Sequence, residues 1–201
     1  MEITRISKMG QEDKFAVFVD GILKLVVSGK TVLENGLSVG KKVSSDELSK
    51  LEAKSTEDKL NHMALRYISL RLRSEGEVRT YLKRKGADQP TIAALVAKYK
   101  ELGLIDDEYY AKAFIHDKML HSAKSRRKLS YELSKRQIAE EMIETSLNEE
   151  RFNDQESLKK LIVQKRQNPK YKDDLKLMQY LVRAGFSYGD VKDAIRNTAE
   201  F

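Results

Sequence analysis

The chain has 201 residues, 40% of them hydrophobic and 34% charged, with a net charge of +7, no cysteine and no tryptophan. That apolar fraction is too high for a disordered chain, and the missing cysteines exclude disulfides, thiolate metal sites and a cysteine nucleophile. No run approaches the roughly 20 apolar residues that cross a bilayer, and the basic balance points to an acidic partner, either nucleic acid or an acidic protein surface.

The first 54 residues read differently from the rest. "EITRIS" alternates apolar and polar residues, and "KFAVFVDGILKLVVS" is two β-rich runs split by Asp20-Gly21. An Asp-Gly pair between two such runs predicts a hairpin, because its tight turn takes positive φ at both positions. "KTVLENG" adds one or two helical turns that end at Gly36. A lone hairpin is marginal in water, so this small antiparallel sheet is expected to pack on something else. The segment holds nine basic and eight acidic residues, so most of the excess positive charge lies beyond it.

From Ser44 the period becomes helical. Ser44 and Glu47 have the spacing of a capping box. Three later segments then align over about 50 residues: "SEGEVRTYLKRKGADQPTIAALV" from Ser74, "SRRKLSYELSKRQIAEEMIETSL" from Ser125 and "DDLKLMQYLVRAGFSYGDVKDAI" from Asp173. Each opens on a residue whose side-chain oxygen caps a helix N-terminus. Their apolar positions match in columns. These are Val78, Leu129 and Leu177; Leu82, Leu133 and Leu181; Ala87, Ile138 and Phe186; Ile92, Ile143 and Val191; Val96, Leu147 and Ile195. The turn between the paired helices carries Gly86 and Gly185 in the first and third copies, and Gln137 in the second. Glycine there suits a helix end that needs positive φ, so Gln137 predicts a strained turn or another shape. Asp88 and Ser187 are placed to cap the helix that follows, with Pro90 in its first turn.

A more variable helix precedes each pair, in "LNHMALRYISL", "EYYAKAFIHDKML" and "ESLKKLIVQKRQ". The predicted fold is mainly α: three three-helix repeats in tandem, over 55–103, 104–152 and 153–201, after a β-hairpin and short helix over 1–54. Each repeat is expected to bury its apolar face partly on its neighbours.

The stretch "ELGLIDDEYYAKAF" holds three consecutive carboxylates, Asp106, Asp107 and Glu108. They could hold a metal, act as acid and base, or cap a helix. Neighbouring helical residues point about 100° apart and do not converge on one ion. Acidic residues at a helix start satisfy free N–H groups and complement the dipole, so capping is the expectation. Gly103 is read as the end of one helix, Leu104 and Ile105 as packing at a crossing, and Tyr109 and Tyr110 as core rather than base-stacking groups. His116 and His121 are five apart, off the spacing that puts two ligands on one helix face. No Walker-type loop, HExxH, GxGxxG or GxSxG occurs. No catalytic residue, metal or cofactor is predicted, and the chain is read as a non-enzyme.

The basic clusters carry the functional signal. Arg71, Arg73, Lys83, Arg84 and Lys85 lie in the first copy, and Lys124, Arg126, Arg127, Lys128, Lys135 and Arg136 in the second. A further six basic residues and no acid fill 159–172. Recurrence at matched positions predicts a positive stripe that tracks a phosphate backbone or an acidic groove. The competing reading is that these are ordinary solvated helix faces.

The stretch "ALRYISLRLRSEGEVRTYLKRKGADQPTIAALVAKYKELGLIDDEYYAKAF" closely resembles the RecX family, regulators of the bacterial recombinase RecA. Its marks are the R-x-R-S box at Arg71–Ser74, "YLKRKG" at Tyr81–Gly86 and "LGLIDDEYYAKAF". Leu72 departs from the proline of many members, and Ser122, Ala123 and Gln137 from glycines that members often carry. The resemblance implies an elongated, curved array that binds RecA and its nucleoprotein filament on single-stranded DNA. It implies a protein that lies in the filament groove and restrains ATP hydrolysis, filament growth and strand exchange, in DNA repair, recombination and the SOS response. The chain is thus expected to be a cytoplasmic monomer that contacts RecA, and single- or double-stranded DNA, through the eleven basic residues above. The alternative is a stand-alone nucleic-acid-binding helical repeat protein.

Overall fold

The computed structural model describes residues 1–10 and 13–198. The last three residues of the expected third repeat, 199–201, lie outside the described residues. The chain forms two compact units. One comprises Met1–Arg71 and Thr80–Lys98, and the other Leu72–Arg79 and everything described from Tyr99 on.

The first unit opens with an antiparallel sheet of β1 (Ile3–Lys8), β2 (Lys14–Val19) and β3 (Ile22–Ser28), in the order β1-β2-β3. Val19 pairs with Ile22 across the predicted turn, and both turn residues take positive φ, Asp20 at 48° and Gly21 at 81°. One face of the sheet supplies Ile3, Val17, Val19, Leu25 and Val27 to a core. On β2, Phe18 points away from that core, and the Arg5 guanidinium covers its ring at 3.7 Å. Helix α1 (Gly29–Glu34) follows directly from β3.

Helix α2 (Ser45–Ser69) starts with the predicted capping box, formed in both directions between Ser44 and Glu47. It runs unbroken through the variable "LNHMALRYISL" segment. Leu48 and Leu51, near its start, close the sheet core, which removes the lone-hairpin problem. Polar contacts fix its middle to β3. Ser55 donates to the Val26 carbonyl at 2.6 Å, and Asp58 accepts from the Ser28 amide and the Thr31 hydroxyl at 2.9 and 2.7 Å.

The helix pair of the first copy is α3 (Glu75–Arg84) and α4 (Gln89–Glu101). Ser74 and Glu77 form the expected capping box, and Asp88 accepts from the Thr91 amide.

The second unit holds two three-helix groups with separate cores. In the first, α5 (Asp107–His121), α6 (Arg126–Ser134) and α7 (Glu140–Glu149) surround Tyr110, Ala111, Ile115, Leu129, Leu133, Ile138, Ile143 and Leu147. In the next, α8 (Asp154–Arg166), α9 (Asp174–Arg183) and α10 (Tyr188–Thr198) surround Leu158, Leu161, Ile162, Leu177, Leu181, Phe186, Val191 and Ile195. A short 3₁₀ turn at Pro169–Tyr171 leads from α8 to α9. Across all three copies the matched apolar columns are buried, except that Ala87 is only partly covered. Gln137 takes φ 62°, so the second turn keeps the left-handed shape of its glycine counterparts and bears the strain.

Two readings of "ELGLIDDEYYAKAF" are corrected. Ile105 and Tyr110 are buried, but Leu104 and Tyr109 are exposed, by 41% and 59%. Both lie beside a helix start, where one side of the chain faces solvent whatever its hydropathy. The carboxylates also divide their work. Asp106 caps α5 by accepting from the Tyr109 amide, and Glu108 pairs with Lys112. Asp107 turns away from its own helix and accepts from the Glu75 amide at 2.7 Å, bonding the start of α3 to the start of α5.

The same contact recurs one copy later. Asp154, at the start of α8, accepts from the Arg126 amide of α6 at 2.6 Å. In each case the preceding serine completes the joint. Ser74 donates to the Arg136 carbonyl at 2.7 Å, and Ser125 to the Ala184 carbonyl at 3.0 Å. Both serines are fully buried, and each also accepts from its own helix, at Glu77 and Lys128. A hydroxyl is needed for this double task, because a carboxylate accepts but does not donate. At the start of α9 the matching residue, Asp173, is exposed and caps its own helix, accepting from the Leu175 and Lys176 amides and lying 3.8 Å from the Lys176 ammonium.

Candidate partner-binding surface

The joints fix the starts of α3 and α6 and, through the Arg136 and Ala184 carbonyls, the turns after α6 and α9. In the second unit the six predicted contacts fall into two sets. Lys124 is held by both carboxylate oxygens of Glu132, at 2.5 and 2.7 Å. Arg126 bridges to Glu144 at 2.6 Å and Asn148 at 2.8 Å, tying α6 to α7. Arg136 lies 4.6 Å from the Phe114 ring centroid and donates to the Glu132 carbonyl. These three cations hold the helices of the repeat together.

Arg127, Lys128 and Lys135 form the other set. They make no ion pair among the described residues, and they flank Tyr131 on one face of α6. Tyr131 is 51% exposed, with the Lys128 ammonium 5.5 Å and the Lys135 ammonium 4.5 Å from its ring centroid. A hydrogen bond from Lys135, helped by its charge, draws the Tyr131 phenol below the ordinary tyrosine value.

In the first copy, Arg73 is mostly buried and sits 4.0 Å from Glu77. Arg71 is exposed in the link between α2 and α3. Lys83, Arg84 and Lys85 are exposed at the C-terminal end of α3, where positive charge suits the helix dipole. Lys85 lies 5.5 Å from the Tyr81 ring, which stacks on Tyr67 with centroids 4.1 Å apart.

Two more cations near the first joint are occupied. Lys100 and Arg79 pair with Glu75 at 2.8 and 2.7 Å, and together they hold its carboxyl below the usual range. Burial pushes the neighbouring Asp107 carboxyl up, against the lowering effect of the Glu75 amide. In the third copy, Arg166 pairs with Asp174 and bonds the carbonyls of Tyr171 and Lys172. Lys165 lies 4.7 Å from the Tyr180 ring.

Sequence spacing missed Tyr131 as a surface feature. Its signal is an aromatic residue with lysines three before and four after it, which places all three side chains on one helix face.

Among the described residues no group of three or more His, Asp or Glu is placed to hold a metal ion. No helix among them is long and apolar enough to cross a membrane.

The architecture is that of a helical-repeat protein with a small β-sheet at its N-terminal end. Two family models match it: the first three-helix domain of RecX over residues 62–98, and the second over 106–147. A regulatory protein RecX of Caldanaerobacter subterraneus is 34% identical over 98% of this chain and 100% of its own length. One from Clostridium botulinum is 28% identical, covering 94% of this chain and 92% of that protein. A crystal structure of regulatory protein RecX superposes with a TM-score of 0.73 over 96% of this chain and 98% of the other, at 21% identity. RecX from Lactobacillus salivarius gives 0.61 over 73% of this chain and 98% of the other, at 24% identity. The chain belongs to the RecX family.

Proposed function

We propose that the protein is a noncatalytic regulator that binds the recombinase RecA and its filament on single-stranded DNA. It inhibits ATP hydrolysis, filament extension and strand exchange, and so modulates recombination, DNA repair and the SOS response. The observation that carries this reading is full-length similarity to proteins named RecX regulatory proteins. The repeats extend over 55–103, 104–152 and 153–201. The partner-facing cations are Lys83, Arg84 and Lys85 on α3 and its turn, and Arg127, Lys128 and Lys135 on and just after α6. They are left over once internal pairs are assigned, whereas Lys124, Arg126 and Arg136 position helices. A helical, phosphate-rich and acidic target matches such cations by long-range attraction as well as by contact.

The test is RecA ATPase on single-stranded DNA with this protein at substoichiometric amounts. The expected result is inhibition below one protein per RecA, because one bound regulator blocks growth for many subunits. No inhibition at any ratio would overturn the proposal. A stand-alone nucleic-acid binder would instead slow RecA only at amounts that cover the DNA, with affinity falling steeply as salt rises.

A further inference from the structure

We infer that Tyr131, bracketed by Lys128 and Lys135, is a stacking platform for an unpaired base, so that the protein grips single-stranded nucleic acid directly through α6. The inference rests on the regulatory reading for its use in the cell, and is tested without RecA so that the two fail separately.

The Tyr131 ring differs from every other tyrosine ring of the chain in what surrounds it. Tyr99 and Tyr110 are buried; Tyr67 stacks on Tyr81, and Tyr171 packs on Tyr180 with centroids 5.1 Å apart. Tyr109 and Tyr188 are exposed, but no lysine or arginine lies over either ring among the described contacts. Tyr131 is exposed, stands outside the core of its repeat, and has two ammonium groups over it. Such surface cation–π contacts are weak, about 0.5–1 kcal/mol, and they give up their partner readily to a stronger one.

The chemistry of the patch then selects the ligand. Lys128 and Lys135 are seven residues apart, about 10 Å along the helix, with the ring between them. Lysine stems are long and flexible, so each ammonium can swing from the ring to a phosphate. A strand laid along this face meets a cation, a π-face and a second cation, with Arg127 one residue before Lys128 adding charge. That alternation of backbone charge and exposed ring is what sequence-tolerant single-strand binding uses. A duplex keeps its bases inside and offers this face phosphates alone. An acidic peptide would engage the lysines and leave the ring idle.

The experiment measures anisotropy of a fluorescein-labelled oligo-dT strand and of a duplex of equal length, with the full chain and no RecA. Tyr131→Ala is expected to weaken oligo-dT binding about 5- to 100-fold, with the unfolding midpoint and circular dichroism of the parent. Tyr131→Phe keeps the π-face and should bind like the parent. Lys135→Gln should lower the salt slope by about one, whereas Tyr131→Ala should leave the slope unchanged. Parent-like oligo-dT binding by Tyr131→Ala would overturn the inference, as would an equal loss on the duplex. Tyr131-dependent binding in a protein that leaves RecA ATPase untouched would sustain this site while sinking the regulatory reading.

Discussion

The two joints of the second unit use the same pair of hydrogen bonds but relieve their closest approach from opposite sides. At the first, a Cβ added to Gly76 on α3 would run into the Gln137 Cβ and the Arg136 carbonyl of the facing turn. At the second, the glycine is on the turn: a Cβ added to Gly185 would run into the Ser125 hydroxyl. The residue matching Gly76 there is Arg127, and the residue matching Gly185 at the first joint is Gln137. Each contact therefore carries one glycine and one side chain. The bonds define the joint, and the glycine can move across it. This accounts for the missing turn glycine of the second copy: its strain at φ 62° accompanies a gap opened on the partner helix.

The largest effect should come from Gly185→Ala. It places a Cβ both at φ 99° and against Ser125. Left-handed strain of about 1–2 kcal/mol and overpacking of about 1–3 kcal/mol predict a loss of about 2–5 kcal/mol in denaturant unfolding. A loss below about 1 kcal/mol would mean that the turn moves freely and the joint is loose.

The carboxylates sharpen the comparison at smaller cost. Asp107→Ala leaves the Glu75 amide without its acceptor and should cost about 1–3 kcal/mol. Asp107→Asn keeps an acceptor and removes a half-buried charge, so it should be within about 0.5 kcal/mol of the parent near neutral pH. The sign with pH follows from burial. Because Asp107 is pushed above the ordinary carboxylate value, its ionisation in the folded state costs stability as pH rises through that value. The Asn variant should therefore gain on the parent over that window and hold a constant difference above it. A constant difference at all pH values would show that Asp107 is solvated.

The repeat, its caps and its core columns were legible because each is a local pattern of apolar spacing and cap residues. The sheet and its turn were legible for the same reason in Asp20-Gly21. The division of the basic residues was not. Arg126 finds Glu144 and Asn148 on α7, and Glu75 finds Asp107 on α5. Those partners are 18, 22 and 32 positions away, and nothing in the spacing of either partner announces the other. Tyr109 and Leu104 failed for a different reason. Hydropathy marks a residue as suited to burial, but the angle of a helix start decides which of two adjacent apolar residues turns inward. Lys128 and Lys135 were legible as basic residues, but Tyr131 between them was missed, because its exposure follows from the packing of α6.

The joint is tested most directly by a double-mutant cycle at its first occurrence, comparing Gly76→Ala, Gln137→Gly and the pair by equilibrium unfolding. Gly76→Ala alone should destabilise by about 1–3 kcal/mol. In the Gln137→Gly background, where the facing Cβ is gone and the turn is free to shift, it should cost less by at least about 1 kcal/mol. Additive effects, with no coupling between the two positions, would contradict the account.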